Sequence, residues 1–251
     1  MDSWWYRPIV PWNSPGSTCA SWHAPGGTFA AVAAVETERQ GDVAVIRLDD
    51  GKANALGFDI VDGLAGAIDD ASDAKALCII GRPGRFSAGF DLNVVRSDRA
   101  VELMAKGSDL ALRLVEHPAP VVLGVTGHAL AMGAVLMLTA DWRVGAEGDF
   151  KLGLNEVRIG LFVPAFASDL AEYRLSRNHL TEAVQLAEVY DPQGALAAGF
   201  LDEVVDPDAV ADRAIERATA WATDLDPKAF ARTRRIARQD LLTKLRDLSR
   251  N

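Results

Sequence analysis

The sequence has few cysteines and no long apolar run, and both shortages exclude whole classes of protein. Two of the 251 residues are cysteines, Cys19 and Cys78, and no C-x-x-C pair is present. A disulfide framework and the common zinc spacings are therefore not indicated, and Cys78 is interpreted as a small core residue in a reducing compartment. No apolar run reaches the roughly 20 residues that cross a bilayer.

Positive charge is also scarce. Lys and Arg number 26 against 35 Asp and Glu, which gives a formal net charge of -9. Such a charge disfavours nonspecific binding to nucleic acid or anionic membrane. The N-terminus lacks the basic segment and apolar run of a signal peptide. We therefore predict a cytoplasmic protein with neither nucleic acid nor membrane as a partner.

Residues 1–33 differ in composition from the rest of the chain. They contain four of the six tryptophans and several Pro and Gly residues, with no helical or strand period. We interpret them as a poorly ordered leader. One hypothesis is that natural translation starts later, near Val32 or Val35, and mass spectrometry showing an intact Met1 would contradict it. The alternative is a docking segment that uses its tryptophans.

From residue 43 onward, apolar runs of strand type alternate with apolar residues at helical spacing. Strand patterns occupy residues 43–48, 76–80 and 121–125. Helical patterns occupy residues 57–72, 98–117, 132–140, 165–174, 179–188, 206–223 and 227–247. This alternation predicts the α/β class.

Two turns rich in small residues each follow a buried strand. In residues 84–92, small residues would let a ligand approach backbone N–H groups. Residues 124–134 lead into a buried helix, whose first N–H groups lack helical partners and favour negative charge. The second turn is thus a candidate oxyanion site. A simple glycine turn and a tightly packed helix start are the structural alternatives.

Glu156 lies in a mainly apolar stretch, residues 150–164. A carboxyl group among apolar neighbours has a raised pKa, as general acid–base catalysis near neutral pH requires. The alternative is an exposed glutamate or an ion pair with Arg158. His128, in the second small-residue turn, could touch substrate, although such histidines more often serve packing.

Together and in this order, the three segments resemble the enoyl-CoA hydratase/isomerase family, the crotonase superfamily. The resemblance covers about residues 43 to 247. The matching positions are residues 54–56, 86–92, 127–141 and 155–156, with Ala195, Gly199, Leu201, Val204 and Val205. It implies an α/β spiral of ββα units over residues 34–205, followed by a helical C-terminal region over residues 206–251.

The resemblance also implies an acyl-CoA substrate, with coenzyme A entering as a thioester and no separate cofactor or metal. The thioester oxygen would accept hydrogen bonds from the backbone N–H groups of Ala88 and Met132, and Glu156 would be catalytic. Implied contacts with substrate or CoA are Lys52, Ala53, Asp91, Leu92, Gly133 and Val135. Homotrimers or dimers of trimers are implied as well.

Three departures from the family pattern narrow the expected activity. Met132 stands where glycine is usual, and Val135 stands where typical hydratases carry a second glutamate. Pro164 stands where dienoyl-CoA isomerases carry an aspartate. The chain is most similar to single-glutamate Δ3,Δ2-enoyl-CoA isomerases, which implies conversion of 3-enoyl-CoA to 2-enoyl-CoA. The alternatives are an enoyl-CoA hydratase that uses Glu156 alone and a non-catalytic acyl-CoA-binding protein.

Overall fold

The computed structural model describes residues 34–248. Its strands are β1 (Val35–Gln40), β2 (Val43–Leu48), β3 (Ala55–Leu56), β4 (Ala76–Gly81), β5 (Gly84–Ser87), β6 (Gly89–Phe90), β7 (Val121–Val125), β8 (Gly127–Leu130), β9 (Trp142–Ala146), β10 (Leu152–Gly153) and β11 (Glu203–Val205). Its α-helices are α1 (Phe58–Asp70), α2 (Leu92–Val95), α3 (Ala100–Glu116), α4 (Met132–Thr139), α5 (Ala165–Arg174), α6 (Leu180–Val184), α7 (Pro192–Ala198), α8 (Val210–Asp224), α9 (Pro227–Ala237) and α10 (Gln239–Leu248). Short 3₁₀ helices span Val157–Ile159 and Pro207–Ala209.

A six-stranded sheet in the order β1-β2-β4-β7-β9-β11 forms the centre of the described chain. Strands β1 and β2 are antiparallel, and every other neighbouring pair is parallel. All residues of β4 and β7 are buried, as expected for central parallel strands with both faces covered. The short apolar runs of the sequence therefore became the core of the sheet.

Two smaller sheets continue the chain beyond the ends of β4 and β7. After β4 the chain turns into β5 and β6, and after β7 it turns into β8. Strands β5, β8 and β10 form a parallel three-stranded sheet, while β3 pairs with β6. The repeated unit is thus two strands followed by a helix, with a helical C-terminal part, and the predicted α/β class is confirmed.

Helices cover both faces of the central sheet. On one face, α1, α3, α4, α5 and α10 share one large apolar cluster with the strands. On the other face, α8 contributes Val210, Ala214, Ala218 and Ala222, which recur every four residues along one stripe. These mostly small side chains let α8 pack closely on the strands. The turns that follow β4 and β7 therefore extend from a sheet with helices packed on both faces.

Three predicted helices differ from the observed ones. The pattern at 179–188 is helical only over Leu180–Val184, because the chain leaves the helix to pair Tyr190 with Leu152. The pattern at 227–247 is two helices, α9 and α10, that meet at Arg238. The pattern at 98–117 is helical over Ala100–Glu116 and is preceded by α2, which the periodicity did not indicate.

The predicted leader, residues 1–33, lies outside the described residues, as do residues 249–251 of the predicted C-terminal region. Within residues 34–248, no helix is both long enough and apolar enough to span a bilayer. Cys78 is a free, buried thiol in β4, in agreement with its interpretation as a core residue.

Candidate active site

A pocket of about 180 Å³ opens where the turns after β4 and β7 meet the segment after β10. Its lining residues are Ala88, Phe90, Leu92, Val95, Met104, Ala131, Met132, Val135, Asn155, Glu156, Ile159, Leu161, Phe162, Pro164 and Phe166. All of these side chains are apolar except those of Asn155 and Glu156. The pocket thus combines an apolar wall with a single ionisable group, a combination typical of small-molecule sites.

Glu156 stands between β10 and the 3₁₀ helix Val157–Ile159 and is only 6% exposed. Burial raises the pKa of its carboxyl group from 4.5 to about 7, partly offset by a hydrogen bond with its own backbone. Its Oε2 atom is buried and has no hydrogen-bond partner within residues 34–248. A carboxyl group in this state can accept or donate a proton near neutral pH.

The alternative interpretation of Glu156 as an exposed or ion-paired residue is wrong. Arg158 turns away from the pocket and donates to Glu188 Oε2 at 2.8 Å and to the Ala187 carbonyl at 2.6 Å. The neighbouring Asn155 has a buried Oδ1 atom that also lacks a partner in the described part of the chain. Two unsatisfied oxygen atoms in one apolar pocket are unusual and point to a site that receives a ligand.

The Met132 N–H group opens helix α4, where no preceding helical carbonyl is available to accept from it. The preceding residue, Ala131, has φ of 49° and ψ of -123°, a positive-φ conformation that is uncommon for residues other than glycine. This turn directs the chain abruptly from β8 into the buried helix. The Met132 amide therefore has the position at a helix start that favours developing negative charge.

The Ala88 N–H group is already engaged. It donates to the carbonyl of Ala53 at 3.0 Å. The geometry therefore contradicts the prediction that this amide serves as an oxyanion donor, since a second acceptor would have to displace Ala53. Ala53 itself lies outside the pocket lining, and its carbonyl holds the turn that carries Ala88.

The Phe90 N–H group points in another direction than the amides of Ala88 and Asp91, which donate to residues 53 and 56. The Asp91 N–H group donates to Leu56 in β3 at 3.2 Å, and successive amides along a strand point to opposite edges. The Phe90 N–H group consequently points away from β3. Gly89, just before it, packs on the start of α4: a Cβ atom there would lie 3.1 Å from Met132 N. Phe90 and Met132 thus place two amides on adjoining segments of the pocket wall.

The structure separates the other predicted contact residues into two groups. Leu92 and Val135 line the pocket together with Ala88, Met132 and Glu156. Val135 is 1% exposed, so the position of the second glutamate of hydratases is an apolar part of the wall.

Lys52, Asp91 and Gly133 do not line the pocket. Asp91 caps helix α2 by accepting from Asn93 N–H at 2.8 Å. Gly133 packs against Ser87, where a Cβ atom would lie 2.5 Å from the Ser87 carbonyl oxygen. Lys52 is on an exposed loop, and its carbonyl accepts from Arg82 at 2.7 Å.

His128 likewise has a structural role. Its Nδ1 atom accepts from Lys151 N–H at 2.9 Å, and its ring packs edge-on against Phe150. Burial lowers the pKa of His128, as do the nearby Arg85 and Lys151 charges. The sequence analysis missed Met104 and Val95 as pocket residues, because an apolar residue on a helix has the same pattern whether it faces a core or a pocket.

Comparison with known proteins agrees with this architecture. The family described as enoyl-CoA hydratase/isomerase matches residues 38–247. A structure of an enoyl-CoA isomerase from Mycobacterium tuberculosis superposes with a TM-score of 0.82 at 41% identity, covering 86% of this chain and 95% of that one.

Two curated relatives carry different activity names. A probable enoyl-CoA hydratase from Mycobacterium avium is 30% identical over 77% of this chain and 76% of its own length. The human mitochondrial enoyl-CoA delta isomerase 1 is 28% identical over 74% of this chain, and the match spans 65% of the human protein. The chain therefore belongs to the enoyl-CoA hydratase/isomerase family, the crotonase superfamily.

Proposed function

We propose that this protein isomerises 3-enoyl-CoA to 2-enoyl-CoA, with Glu156 as the one group that moves the proton. The observation that carries the proposal is the composition of the pocket. Glu156 is its single ionisable side chain, and Val135 occupies the position where a hydratase would hold a second carboxylate. An isomerisation needs one group that removes and returns a proton, whereas hydration also needs an activated water.

The proposed oxyanion donors are the N–H groups of Met132 and Phe90. Phe90 takes the role that the family resemblance implied for Ala88, because the Ala88 N–H group already donates a hydrogen bond to the Ala53 carbonyl. Both donors are backbone groups that need no rearrangement during the reaction. Each such donor typically contributes about 10²–10³ in rate.

In the proposed reaction, Glu156 removes a proton from C2 of the bound 3-enoyl thioester. The electron pair of that C–H bond delocalises onto the thioester oxygen and, through the C3=C4 double bond, onto C4, giving a dienolate. The protonated Glu156 then delivers the same proton to C4, and the double bond is left between C2 and C3. A pKa of about 7 suits both halves of this shuttle.

No further cofactor enters the proposed route, since coenzyme A arrives as part of the substrate. Formation of a homotrimer or dimer of trimers stays a prediction from the family resemblance. Hydration by Glu156 alone and acyl-CoA binding without turnover are the competing functions. Neither has an observation in its favour as direct as the single carboxylate in an apolar pocket.

The test is a paired assay with trans-3-hexenoyl-CoA and crotonyl-CoA as separate substrates. We expect isomerisation of the first without hydration of the second. Glu156→Gln should lower the isomerisation rate at least about 10²-fold, because general acid–base catalysis contributes at least that much.

The matched control is Glu147→Gln, which alters an exposed glutamate outside the pocket and should leave the rate unchanged. Robust hydration of crotonyl-CoA would favour the hydratase. Binding of both thioesters without turnover of either would favour the binding protein. Near-full activity in Glu156→Gln would reject the mechanism.

A further inference from the structure

A second cavity of about 600 Å³ lies between the end of α3 and the C-terminal helices α9 and α10. It shares no lining residue with the acyl pocket. Its walls lie beside the segment that precedes β7, whereas the acyl pocket lies beyond the opposite end of that strand. The two cavities are therefore separate sites at opposite ends of the same central strand.

The wall of this cleft is strongly cationic. Lys228, Arg232 and Arg235 recur along α9 at intervals of four and three residues, which places them on one face of the helix. All three are exposed, and none forms an ion pair with any residue from 34 to 248. Three unpaired cations on one wall stand out in a chain whose net charge is -9.

The other two cations among the lining residues already have carboxylate partners. Arg246 donates to Glu116 Oε1 at 2.6 Å, and Glu116 is the single carboxylate among the lining residues. Arg234 is buried beneath the cations, where it is paired with Asp141 at 3.0 Å. Among the lining cations, those without an ion pair in residues 34–248 are therefore the three α9 side chains.

Hydrogen bonds join the end of α3 to α9 beside the cleft, and one side-chain nitrogen of a lining residue has no partner within residues 34–248. Arg234 donates to the Val115 and His117 carbonyls at 2.6 Å, which fixes the end of α3 against α9. His117 is 5% exposed, and its Nε2 atom is buried without a partner in the described chain. His117 is one of the lining residues of the cleft, and a buried nitrogen without a partner is uncommon in a folded chain.

We propose that this cleft binds a small phosphate-bearing molecule with two or more negative charges. Phosphate oxygens accept charge-assisted hydrogen bonds from arginine and lysine, and the planar guanidinium groups of Arg232 and Arg235 suit them in particular. A volume of about 600 Å³ is within the range of small-molecule sites. The phosphates can belong to a free metabolite or to a second molecule of coenzyme A.

The experiment is calorimetric titration of the full chain with pyrophosphate at low salt, with acetate as a singly charged control. We expect pyrophosphate to bind, acetate not to bind, and added salt to weaken the binding, since exposed charges are screened. Lys228→Gln, Arg232→Gln and Arg235→Gln should each weaken pyrophosphate roughly tenfold, and the triple variant should lose it. Isomerase or hydratase turnover should be unchanged in all of them.

Arg177→Gln is the matched control, because Arg177 is an exposed arginine outside the cleft and its removal should not alter pyrophosphate binding. The titration is repeated with saturating hexanoyl-CoA to separate the two cavities. Unchanged pyrophosphate binding supports a site for a free phosphate compound. If the wild type binds two equivalents of hexanoyl-CoA and the triple variant binds one, the phosphates are assigned to coenzyme A.

Three outcomes would overturn the proposal. They are the absence of binding at millimolar pyrophosphate, equal binding by the wild type and the triple variant, and a change of oligomeric mass in the triple variant. The last would mean that carboxylates of a second copy fill the cleft.

Discussion

The pKa of Glu156 arises from burial, with no second carboxylate in the pocket wall to raise it further. An acid whose charged form is disfavoured by its surroundings holds its proton more tightly, and its conjugate base is correspondingly stronger. The raised pKa of Glu156 therefore affects both the reaction rate and the stability of the fold. Both effects can be measured with one substitution.

The rate should depend on pH through Glu156. Because the base must be ionised before it removes the C2 proton, kcat/KM for isomerisation should rise as pH increases through about 7 and then level off. A pH series of initial rates with trans-3-hexenoyl-CoA measures this. A midpoint near the ordinary glutamate value of 4.5 would contradict the burial argument.

The free energy of unfolding should also depend on Glu156, but it should fall as pH rises. The folded state binds the Glu156 proton more tightly than the unfolded state does, so its stabilising effect is present below pH 4.5 and is lost as pH rises through about 7. Glu156→Gln carries no charge at any pH. It should therefore be more stable than the wild type at pH 8, by up to about 3 kcal/mol, with the difference shrinking toward pH 4. Urea unfolding at both pH values measures this, and a difference independent of pH would be inconsistent with it.

At the scale of elements, helix α3 approaches the pocket at a glycine. A Cβ atom at Gly107 would lie 2.2 Å from Phe90 Cζ and 3.5 Å from Met132 Cε. Because Gly107 has no side chain, the Phe90 ring can pack directly against helix α3. Phe90 lines the acyl pocket, so the helix indirectly sets the pocket width.

Gly107→Ala should push the Phe90 ring into the pocket and discriminate against long acyl chains. We expect the ratio of kcat/KM for trans-3-decenoyl-CoA to that for trans-3-hexenoyl-CoA to fall roughly tenfold, the scale of one or two misfitted methylene groups. Gly66→Ala is the control, because a Cβ atom there meets nothing within 4 Å. It should leave the ratio unchanged and stabilise α1 by about 0.5–1 kcal/mol. An unchanged ratio in Gly107→Ala would mean that Phe90 does not limit the pocket.

The C-terminal helices are attached through a buried charge network. Asp141 accepts from Arg234 at 3.0 Å and from Arg238 at 2.6 Å, and it also accepts from Val121 N–H at 2.9 Å. Burial alone would raise the pKa of Asp141, but the two guanidinium groups hold it below its usual value. The network joins α9, and Arg238 between α9 and α10, to the start of β7.

Asp141→Asn should lower the free energy of unfolding by about 3–5 kcal/mol, because it leaves two buried arginines without a counter-charge. Asp62→Asn removes the carboxylate of an exposed pair with Lys106 and should cost no more than about 0.5 kcal/mol. Denaturant unfolding of both variants makes the comparison. Similar losses in the two would show that burial adds nothing to the Asp141 network.

At the scale of the whole molecule, an apolar rim surrounds the mouth of the acyl pocket. Leu161 and Phe162 line the pocket and are also 37% and 70% exposed, and Val157 and Ile159 are exposed beside them. Clustered exposed apolar residues of this kind are typical of interfaces. Assembly of several copies stays a prediction, and this rim is the surface that we expect it to cover.

Size-exclusion chromatography with light scattering should give a mass three or six times that of the single chain. The expected reason is burial of the apolar rim between copies, which contributes about 25 cal/mol per Å². Phe162→Ser should shift the mass toward that of the single chain at low concentration. A wild-type mass equal to one chain would contradict the prediction.

The sequence by itself determined the α/β class and the family. Buried parallel strands require continuous apolar runs, and these are visible in residues 76–80 and 121–125 without a structure. Glu156 and Met132 were likewise predicted as site residues because short motifs around them occur in a fixed order, and both line one pocket. Local patterns of this kind depend only on neighbours in the chain.

The tertiary structure alone decided which backbone amide is available in the pocket. Ala88 and Phe90 are two residues apart. Which of their two amides is available depends on hydrogen bonds to Ala53 and Leu56, which lie in a loop and a strand more than 30 residues earlier. The hydrogen bond from Arg238 to Asp141 likewise joins residues that are 97 positions apart in the chain. A hydrogen bond or ion pair between distant segments leaves no periodic trace in either one, so only the folded chain reveals it.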